Sequence, residues 1–532
     1  MSTQDTTDSA ETTGSGELPD DRPDPTFREV VAFYAMVVGM FLALVNVQIV
    51  GSSFRQIQGG LSAGPEEVSW LMTAYLIAEV VMIPLSGWLT QVMSTRWPFT
   101  ACMGGFTVAS LASALTWNIE SMIVCRALQG FTGGALLPMV FGTLFTLFPA
   151  RKQEMATILV GIVGTTAPAL GPSLGGWISE YMSWHWLFLL NVPPGIVITV
   201  VIASVVRFDR PNPSLLRNID FIGISLVAVT LATLLVVVQE GRREGWFESD
   251  YIRTLSVISA VAFVLFLWRE LTARHPVVDL RAFTDRNFLI GTFFVFVFGA
   301  GIYGPVFALP LFLAQVRDLG SLQIGLIVFV IGVFQMLSGI VVYFMLKFMR
   351  RRHIVFVGVV MMAYGTYLQA QLTIDTGFEE LFVPQMIRGL AAQMVFLPLV
   401  NLALGRLPAS RVRNGSGLFN LTQRLGAAIG IAVASAMLQV RAEHHYARLM
   451  EVLPRGDIAV QPISRKLHIL FESRFGDSPT LDRVVTQFMI QTTQREALIL
   501  AFNDVMLAIA VLIAASIMVL PAIRGLDRPK GT

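Results

Sequence analysis

Fourteen stretches of about 20 predominantly apolar residues follow one another along this 532-residue chain, and each is long enough for a helix to cross a bilayer. They lie near residues 30–51, 67–90, 97–116, 121–148, 154–178, 184–206, 218–239, 251–270, 287–314, 321–346, 353–374, 380–404, 413–438 and 497–521. In lipid every backbone N–H and C=O must be satisfied within the segment, so runs of this kind read as helices. Charged residues make up 14% of the chain, against about 25% in an ordinary globular domain, which excludes a soluble fold. The expected fold class is an all-α polytopic membrane protein with fourteen transmembrane helices.

Lys and Arg positions orient the spans. The even-to-odd connections hold Arg96, then Arg151 and Lys152, then Arg207, Arg210 and Arg217. Further on they hold Arg269, Arg274, Arg281 and Arg286, the cluster Lys347 with Arg350 to Arg352, and Arg406, Arg411 and Arg413. The odd-to-even connections are nearly bare, with Arg55, Arg242, Arg243 and Arg317 the main exceptions. Both termini are therefore expected on the cytoplasmic side. Residues 1–26 are polar and acidic without apolar periodicity, and read as a disordered cytoplasmic tail. The connection at about 440–495 is the long external one. Its stretches "RAEHHYARLMEVLPRG" and "TLDRVVTQFMIQTTQREAL" have amphipathic helical spacing, either as a solvated cap of two short helices or as a docking surface for a periplasmic partner. His444 and His445 lack a ligand-spaced companion, so no metal site is expected. Cys102 and Cys125 fall near opposite membrane faces and read as packing residues. The formal net charge of +2 marks out no partner, and nothing points to nucleic acid.

The spans divide as six, two and six: a first bundle over 27–206, an insert with flanking loops over 207–286, and a second bundle over 287–532. Span four, "CRALQGFTGGALLPMV", and span twelve, "MIRGLAAQMVFLPLV", share an early Arg, a Gly-containing turn and a later Pro. Such weak internal similarity in parallel order points to a duplicated transporter with its site between the halves. Span five carries "APALGPSLGGWI" over 167–178. At four-residue spacing, Gly164, Pro168, Pro172 and Gly176 share one face, with Gly171 and Gly175 beside it. Small residues at that spacing let helices approach backbone to backbone. The prolines remove ladder hydrogen bonds and are expected to bend the helix, leaving a smooth face suited to pivoting.

The set Ala167, Gly171, Pro172, Gly175 and Gly176 resembles the antiporter motif of the major facilitator superfamily, in its fourteen-span drug:proton antiporter branch. "RALQG" (126–130) is similar to that superfamily's span-four motif, and "PLSGWLTQVMSTRW" holds the place of its gating-loop motif, with Gly87, Gln91 and Arg96 at the motif positions. "WHWLFLLNVPPG", "NIDFIGISL", "EGRREGWF" and "PVVDLRAFTDRNF" narrow the resemblance to EmrB/QacA-type permeases. The resemblance implies two six-helix bundles with two extra helices between them. It implies a proton-driven exporter of amphiphilic drugs or toxic small molecules across the bacterial inner membrane, working with a periplasmic membrane-fusion adaptor and an outer-membrane channel. Two positions depart from the pattern. Asn46, in "LVNVQIVG", stands where the group usually has a span-one carboxylate, and Gln91 stands where the loop motif has its latching Asp, with Ser94 for the usual Gly.

An ionisable side chain inside a span is costly unless paired or wet, and so is a functional candidate. Arg126, Arg388 and Arg424 are the basic groups within spans; Glu79 and Asp504 are the acidic ones. Glu79 is the candidate replacement for the missing span-one carboxylate as proton carrier, with Arg126 modulating it; a structural Glu79–Arg126 pair and a pore-lining water ligand are the alternatives. Asp504 is the second coupling candidate. Asn46, Gln48, Tyr75, Gln129, Arg388 and Arg424 are candidates for lining the substrate cavity. Arg388 and Arg424 would either hold an anionic substrate group or satisfy backbone carbonyls at a packing site. No G-x-x-x-x-G-K-[ST] loop, catalytic triad or metal-spaced cluster is present, so neither an ATP-driven pump nor an enzyme is expected, and no cofactor. Export of a dedicated metabolite or siderophore, import, and a non-transporting receptor stay as alternatives.

Overall fold

The computed structural model describes residues 24–207 apart from 52, then 209, 211–212, 220–273, 278–452 apart from 406 and 408, 465–470 and 479–522. The acidic segment 1–26 therefore lies outside the described residues except for its last three positions.

The described chain is helical throughout, with fourteen long helices in sequence order. The first six are α1 (Phe27–Gly51), α2 (Pro65–Met93), α3 (Arg96–Ala114), α4 (Ile119–Leu147, with a step at Ala135), α5 (Ala150–Tyr181) and α6 (Trp186–Val205, with a turn at 190–191). Then come α7 (Phe221–Glu240) and α8 (Asp250–Thr272). The last six are α9 (Arg286–Gln315), α10 (Ser321–Phe348), α11 (Arg351–Leu368), α12 (Phe378–Leu404), α13 (Ala409–Val452) and α14 (Pro479–Ser516). Twelve of these are long and apolar enough to cross a membrane. The two that fall short do so for local reasons. Helix α3 is rich in Thr, Ser and Gly, and Thr107, Ser110 and Ser113 donate back to the carbonyls of Met103, Phe106 and Ala109 at 2.7–2.8 Å, satisfying their hydroxyls internally. Helix α11 opens with Arg351, Arg352 and His353.

Helices α1 to α6 pack among themselves, chiefly α2 on α4, α1 on α5 and α3 on α4 and α6. Helices α9 to α14 form the second bundle through α9 on α13, α12 on α10 and α11, and α14 on α11 and α13. The two bundles meet along two seams, α5 against α10 and α12, and α13 against α2 and α4. The α7–α8 pair packs on itself and lays α7 against α2 and, more lightly, α13. Asp220 caps α7 by accepting from Gly223 N–H at 3.0 Å and from Arg269 Nε on α8 at 3.0 Å. Burial pushes the Asp220 carboxyl up, but the hydrogen bonds from Arg269 and the Gly223 N–H outweigh it and hold it below the usual carboxylate range.

Close approach between helices is set by glycine. On α4, Gly130 and Gly134 lie one turn apart against the α2 backbone, where an added Cβ would fall 2.2 Å from the Tyr75 carbonyl oxygen and 2.5 Å from that of Glu79. The second bundle repeats the device, with Gly426 and Gly430 of α13 against Phe296 and Ala300 of α9. Van der Waals contact of this kind is what holds helices together where lipid removes the hydrophobic drive.

The long connection differs from the expected pair of separate short helices. Helix α13 runs unbroken for 44 residues to Val452, about 66 Å at 1.5 Å per residue, and α14 starts at Pro479 and runs for 38. As far as they are described, both amphipathic stretches are continuous with the spans themselves. Continuation costs nothing in new nucleation and keeps the backbone bonded, which a break followed by a fresh short helix would not. Likewise α5 is one helix from Ala150 to Tyr181 with Pro168 and Pro172 inside it.

Two outcomes follow from this packing. Gly130→Ala forces its methyl into an immobile carbonyl and lowers stability by about 1–3 kcal/mol, whereas Gly164→Ala, whose Cβ meets nothing within 4 Å, is tolerated; thermal unfolding in detergent compares them. The Asp220 carboxyl, with its lowered folded pKa, contributes stability above its unfolded pKa that is lost as pH falls through the folded one. Asp220→Asn accordingly melts below the parent at neutral pH, and the gap closes as the medium is acidified.

Candidate functional site

The glycine ladder on α4 brings α2 close enough to place Tyr75 and Glu79 inside the molecule, one turn apart on one face. Glu79 meets Arg424 of α13: Oε1 lies 2.9 Å from Nη2, with both side chains 6% exposed. The contact is one of charge without an aligned hydrogen bond, and Glu79 Oε2 has no hydrogen-bond partner among the described residues. Tyr303 of α9 lies beside the pair, its ring centroid 6.0 Å from the Arg424 guanidinium carbon. This ion pair crosses the α2–α13 seam and so joins the two bundles.

The alternative of a structural Glu79–Arg126 pair is therefore not realised. Arg126, fully buried on α4, donates to Asn46 Oδ1 of α1 at 2.5 Å, to Gln129 Oε1 at 2.6 Å and to the Leu71 carbonyl of α2 at 3.3 Å. Its guanidinium lies 4.3 Å from the centre of the Tyr75 ring. Gln129 passes the chain on to Ser110 of α3 at 2.6 Å. Arg126 is held by amide and carbonyl oxygens in its own bundle, while Arg424 reaches across from the other with no competing acceptor. Arg126 Nη2 and Asn46 Nδ2 have no hydrogen-bond partner among the described residues.

The remaining candidates separate. Arg424 neither points at a backbone carbonyl nor stands free for an anion, because Glu79 occupies it. Arg388 of α12 is 1% exposed and donates to Gln369 Oε1 at 2.8 Å, to Gln385 Oε1 at 3.5 Å and to the Gly301 carbonyl at 3.4 Å. Gln48 is half-buried on α1 where Gly171 packs against it. Asp504 is 29% exposed in the second half of α14 and contacts Arg441 at 3.3 Å and His445 at 2.9 Å, both on α13. It takes no part in the cluster around Glu79.

Span five is wedged between bundles. Ala167 is fully buried; Gly171 abuts Gln48 and Ile49 of α1, and Gly175 accepts from Ser53 Oγ at 3.2 Å. On the other side Pro172 and Gly176 meet Gly325 and Ser321 at the start of α10, with Ser173 Oγ donating to the Gly325 carbonyl at 2.6 Å. Lower on α5, Thr165 Oγ1 accepts from Gln393 of α12 at 2.5 Å.

The gating-loop residues sit at the far end of the α2–α13 seam. Gly87 lets α2 touch the α13 backbone at Arg413, and Gln91 Nε2 donates to Asn414 Oδ1 at 3.1 Å. Arg96 donates to the Ala203 carbonyl of α6. A carboxylate does stand at this contact, but it comes from the α6–α7 connection. Asp209 accepts from Ser94 Oγ at 2.8 Å, from Thr95 N–H at 2.9 Å and Thr95 Oγ1 at 3.0 Å, and pairs with Arg413 Nη2 at 2.7 Å. The Asp209–Arg413 contact escaped the sequence reading because the two are about 200 positions apart and neither lies inside the apolar part of a span.

Contacts between the bundles thus occur towards both ends of the seams and at the centre. Buried titratable and amide groups at the centre could exchange a proton or engage a polar substrate group once the seams part.

Comparison with known proteins places this geometry. A family model described as "Major Facilitator Superfamily" matches residues 36–431. The colistin resistance protein EmrB of Acinetobacter baumannii is 34% identical over 482 residues, covering 90% of this chain and 93% of that protein. The multidrug export protein EmrB of Escherichia coli K12 is 28% identical over 479 residues, 90% and 91% of the two chains. The fatty acid resistance protein FarB of Neisseria gonorrhoeae is 28% identical over 481 residues, 89% and 92%. Among solved structures, the human organic anion transporter MFSD10 shares the fold at TM-score 0.55 and 13% identity, over 93% of this chain and all of that one. With helices, seams and family model in agreement, the chain belongs to the major facilitator superfamily and is a non-enzymatic membrane transporter of the efflux type represented by EmrB.

Proposed function

We propose that this transporter exports amphiphilic small molecules from the cytoplasm across the bacterial inner membrane in exchange for protons, and that Glu79 carries the proton. The observation that carries the reading is the Glu79–Arg424 pair bridging the bundles. An ion pair in a low-dielectric interior is held strongly, and removing one partner's charge costs on the order of 3–5 kcal/mol because the other is left buried and alone. Protonation of Glu79 does that to Arg424. The proton thereby loosens the α2–α13 seam, and its departure tightens it, which is the coupling an alternating-access exchanger requires. Arg126, caged by Asn46 and Gln129, is a fixed positive charge near the carrier that disfavours simultaneous occupancy by a cation and a proton.

The distribution of Lys and Arg supports cytoplasmic termini, with the Asp209–Arg413 contact on the cytoplasmic side and the long α13–α14 connection outside. The 44-residue α13 exceeds the roughly 30 Å hydrocarbon core, and with α14 it projects a helical platform on that outer side. Such a platform suits a periplasmic adaptor leading to an outer-membrane channel. Names of relatives that refer to multidrug export and fatty acid resistance support a broad amphiphilic substrate class. The division of the chain at about 207 and 286 into first bundle, insert and second bundle belongs to the same proposal.

Proton release from inverted vesicles on addition of ethidium or deoxycholate, relative to vesicles lacking the protein, tests the reading. The parent chain dissipates the gradient with at least one probe; Glu79→Gln reduces the response at least tenfold, while Asp504→Asn retains it. An undiminished response in Glu79→Gln removes Glu79 as the carrier, and loss in Asp504→Asn alone moves the carrier to α14.

A further inference from the structure

The α7–α8 insert carries none of the residues clustered around Glu79 and Arg126, yet with its flanking connection it touches both bundles at both ends of one seam. Its fastening to the first bundle is double. At the cytoplasmic end, Asn212 N–H donates to the Val92 carbonyl of α2 at 3.1 Å and Asp209 is bound by Ser94 and Thr95. At the other end, the buried Glu240 carboxylate accepts from Thr73 Oγ1 of α2 at 3.0 Å, and the length of α7 between them packs on α2. Its grip on the second bundle is also double but unlike in kind. Asp209 pairs with Arg413 at the start of α13, and Arg242, on the turn after α7, donates through Nε to Gln439 Oε1 at 2.9 Å and through Nη1 to Ser435 of α13.

We infer that the two-helix insert is a bracket that travels with the first bundle and clasps α13 at each end of the seam, with Arg242 the releasable clasp on the outer side. The asymmetry of the contacts decides which side moves. Glu240–Thr73 is a buried hydrogen bond to a charged acceptor, whereas hydrogen bonds made by an exposed guanidinium compete with water and hold less firmly. When the outer end of the seam parts, the Arg242 contacts break and the Glu240 contact stays. Arg242 is thus a positioning residue for the outer gate. The inference rests on the transport reading only in requiring that the bundles move relative to each other.

Side-specific cysteine labelling tests it without any substrate. Ala428 is 7% exposed and lies one turn from Arg424 on the same face of α13, towards Ser435. In a full-length chain with Cys102→Ala and Cys125→Ala, Ala428→Cys is reacted with a membrane-impermeant maleimide in intact cells and in inverted vesicles. The side on which residue 242 lies is fixed by labelling Arg242→Cys in the same preparations. Arg242→Ala is expected to speed labelling of the thiol introduced at position 428 severalfold from that side, with Arg242→Lys restoring most of the protection. Ser435→Ala with Gln439→Ala, which removes the acceptors instead, is expected to match Arg242→Ala. Joining Arg242→Cys to Gln439→Cys with a short bifunctional thiol reagent is expected to slow labelling below the parent rate. Unchanged rates in all these variants overturn the clasp. Residue 242 labelled only in inverted vesicles overturns the placement of the clasp on the outer side, and neither result depends on whether Glu79 carries a proton.

Discussion

A carboxylate from one bundle and a guanidinium from the other, each too deeply placed to be hydrated, hold the centre of this molecule together. Neither Glu79 nor Arg424 has another charged partner within hydrogen-bonding reach among the described residues, so each is the condition for the other's burial. The rest of the centre follows from getting them there. Gly130 and Gly134 let α2 lie on α4, and Gly426 and Gly430 let α13 lie on α9. The two glycine pairs fix the two helices whose side chains then meet across the seam. The two helices' mutual approach is therefore decided by small residues on their neighbours as much as by the charges themselves.

The other two buried arginines illustrate a different solution to the same physical problem. Arg126 and Arg388 are held by side-chain amides and backbone carbonyls, with no carboxylate at hydrogen-bonding distance among the described residues. Amide oxygens satisfy N–H groups without cancelling charge, so both sites stay positive whatever the protonation state of Glu79. The asparagine at position 46, where a carboxylate would cancel the charge, is what keeps Arg126 in that condition. The one neutralised arginine of the three is also the one that spans the seam, which ties charge balance to the relative position of the bundles.

Much of this was legible in the sequence. The all-helical membrane fold and the efflux-type family follow from apolar run length, Gly and Pro spacing and motif order, because each is a local property of the chain. Glu79, Arg126, Arg388 and Arg424 were singled out because lipid makes any buried charge conspicuous. Their pairing was not legible. Arg126 is 47 positions from Glu79 and Arg424 is 345, and nothing in either neighbourhood tells which guanidinium faces the carboxylate. The same limit hid Asp209, which restores a carboxylate to the gating contact from a connection that composition alone marks as a linker. The amphipathic stretches after α13 and before α14 were legible as helical, but their continuity with the spans was not, since a change from apolar to amphipathic patterning looks like an end.

That continuity changes how α13 works. One stiff rod carries Arg413 and Asn414 at one end, Arg424 near its middle, and Ser435, Gln439 and Arg441 beyond it. It is contacted between these two ends by the carboxylate of a neighbouring helix, so the transport cycle proposed above makes it a lever with its fulcrum at the ion pair. A lever that swings outward at one end swings inward at the other. In the proposed exchange the two ends of the seam are then opposed by geometry alone, and parting both at once would require the rod to break.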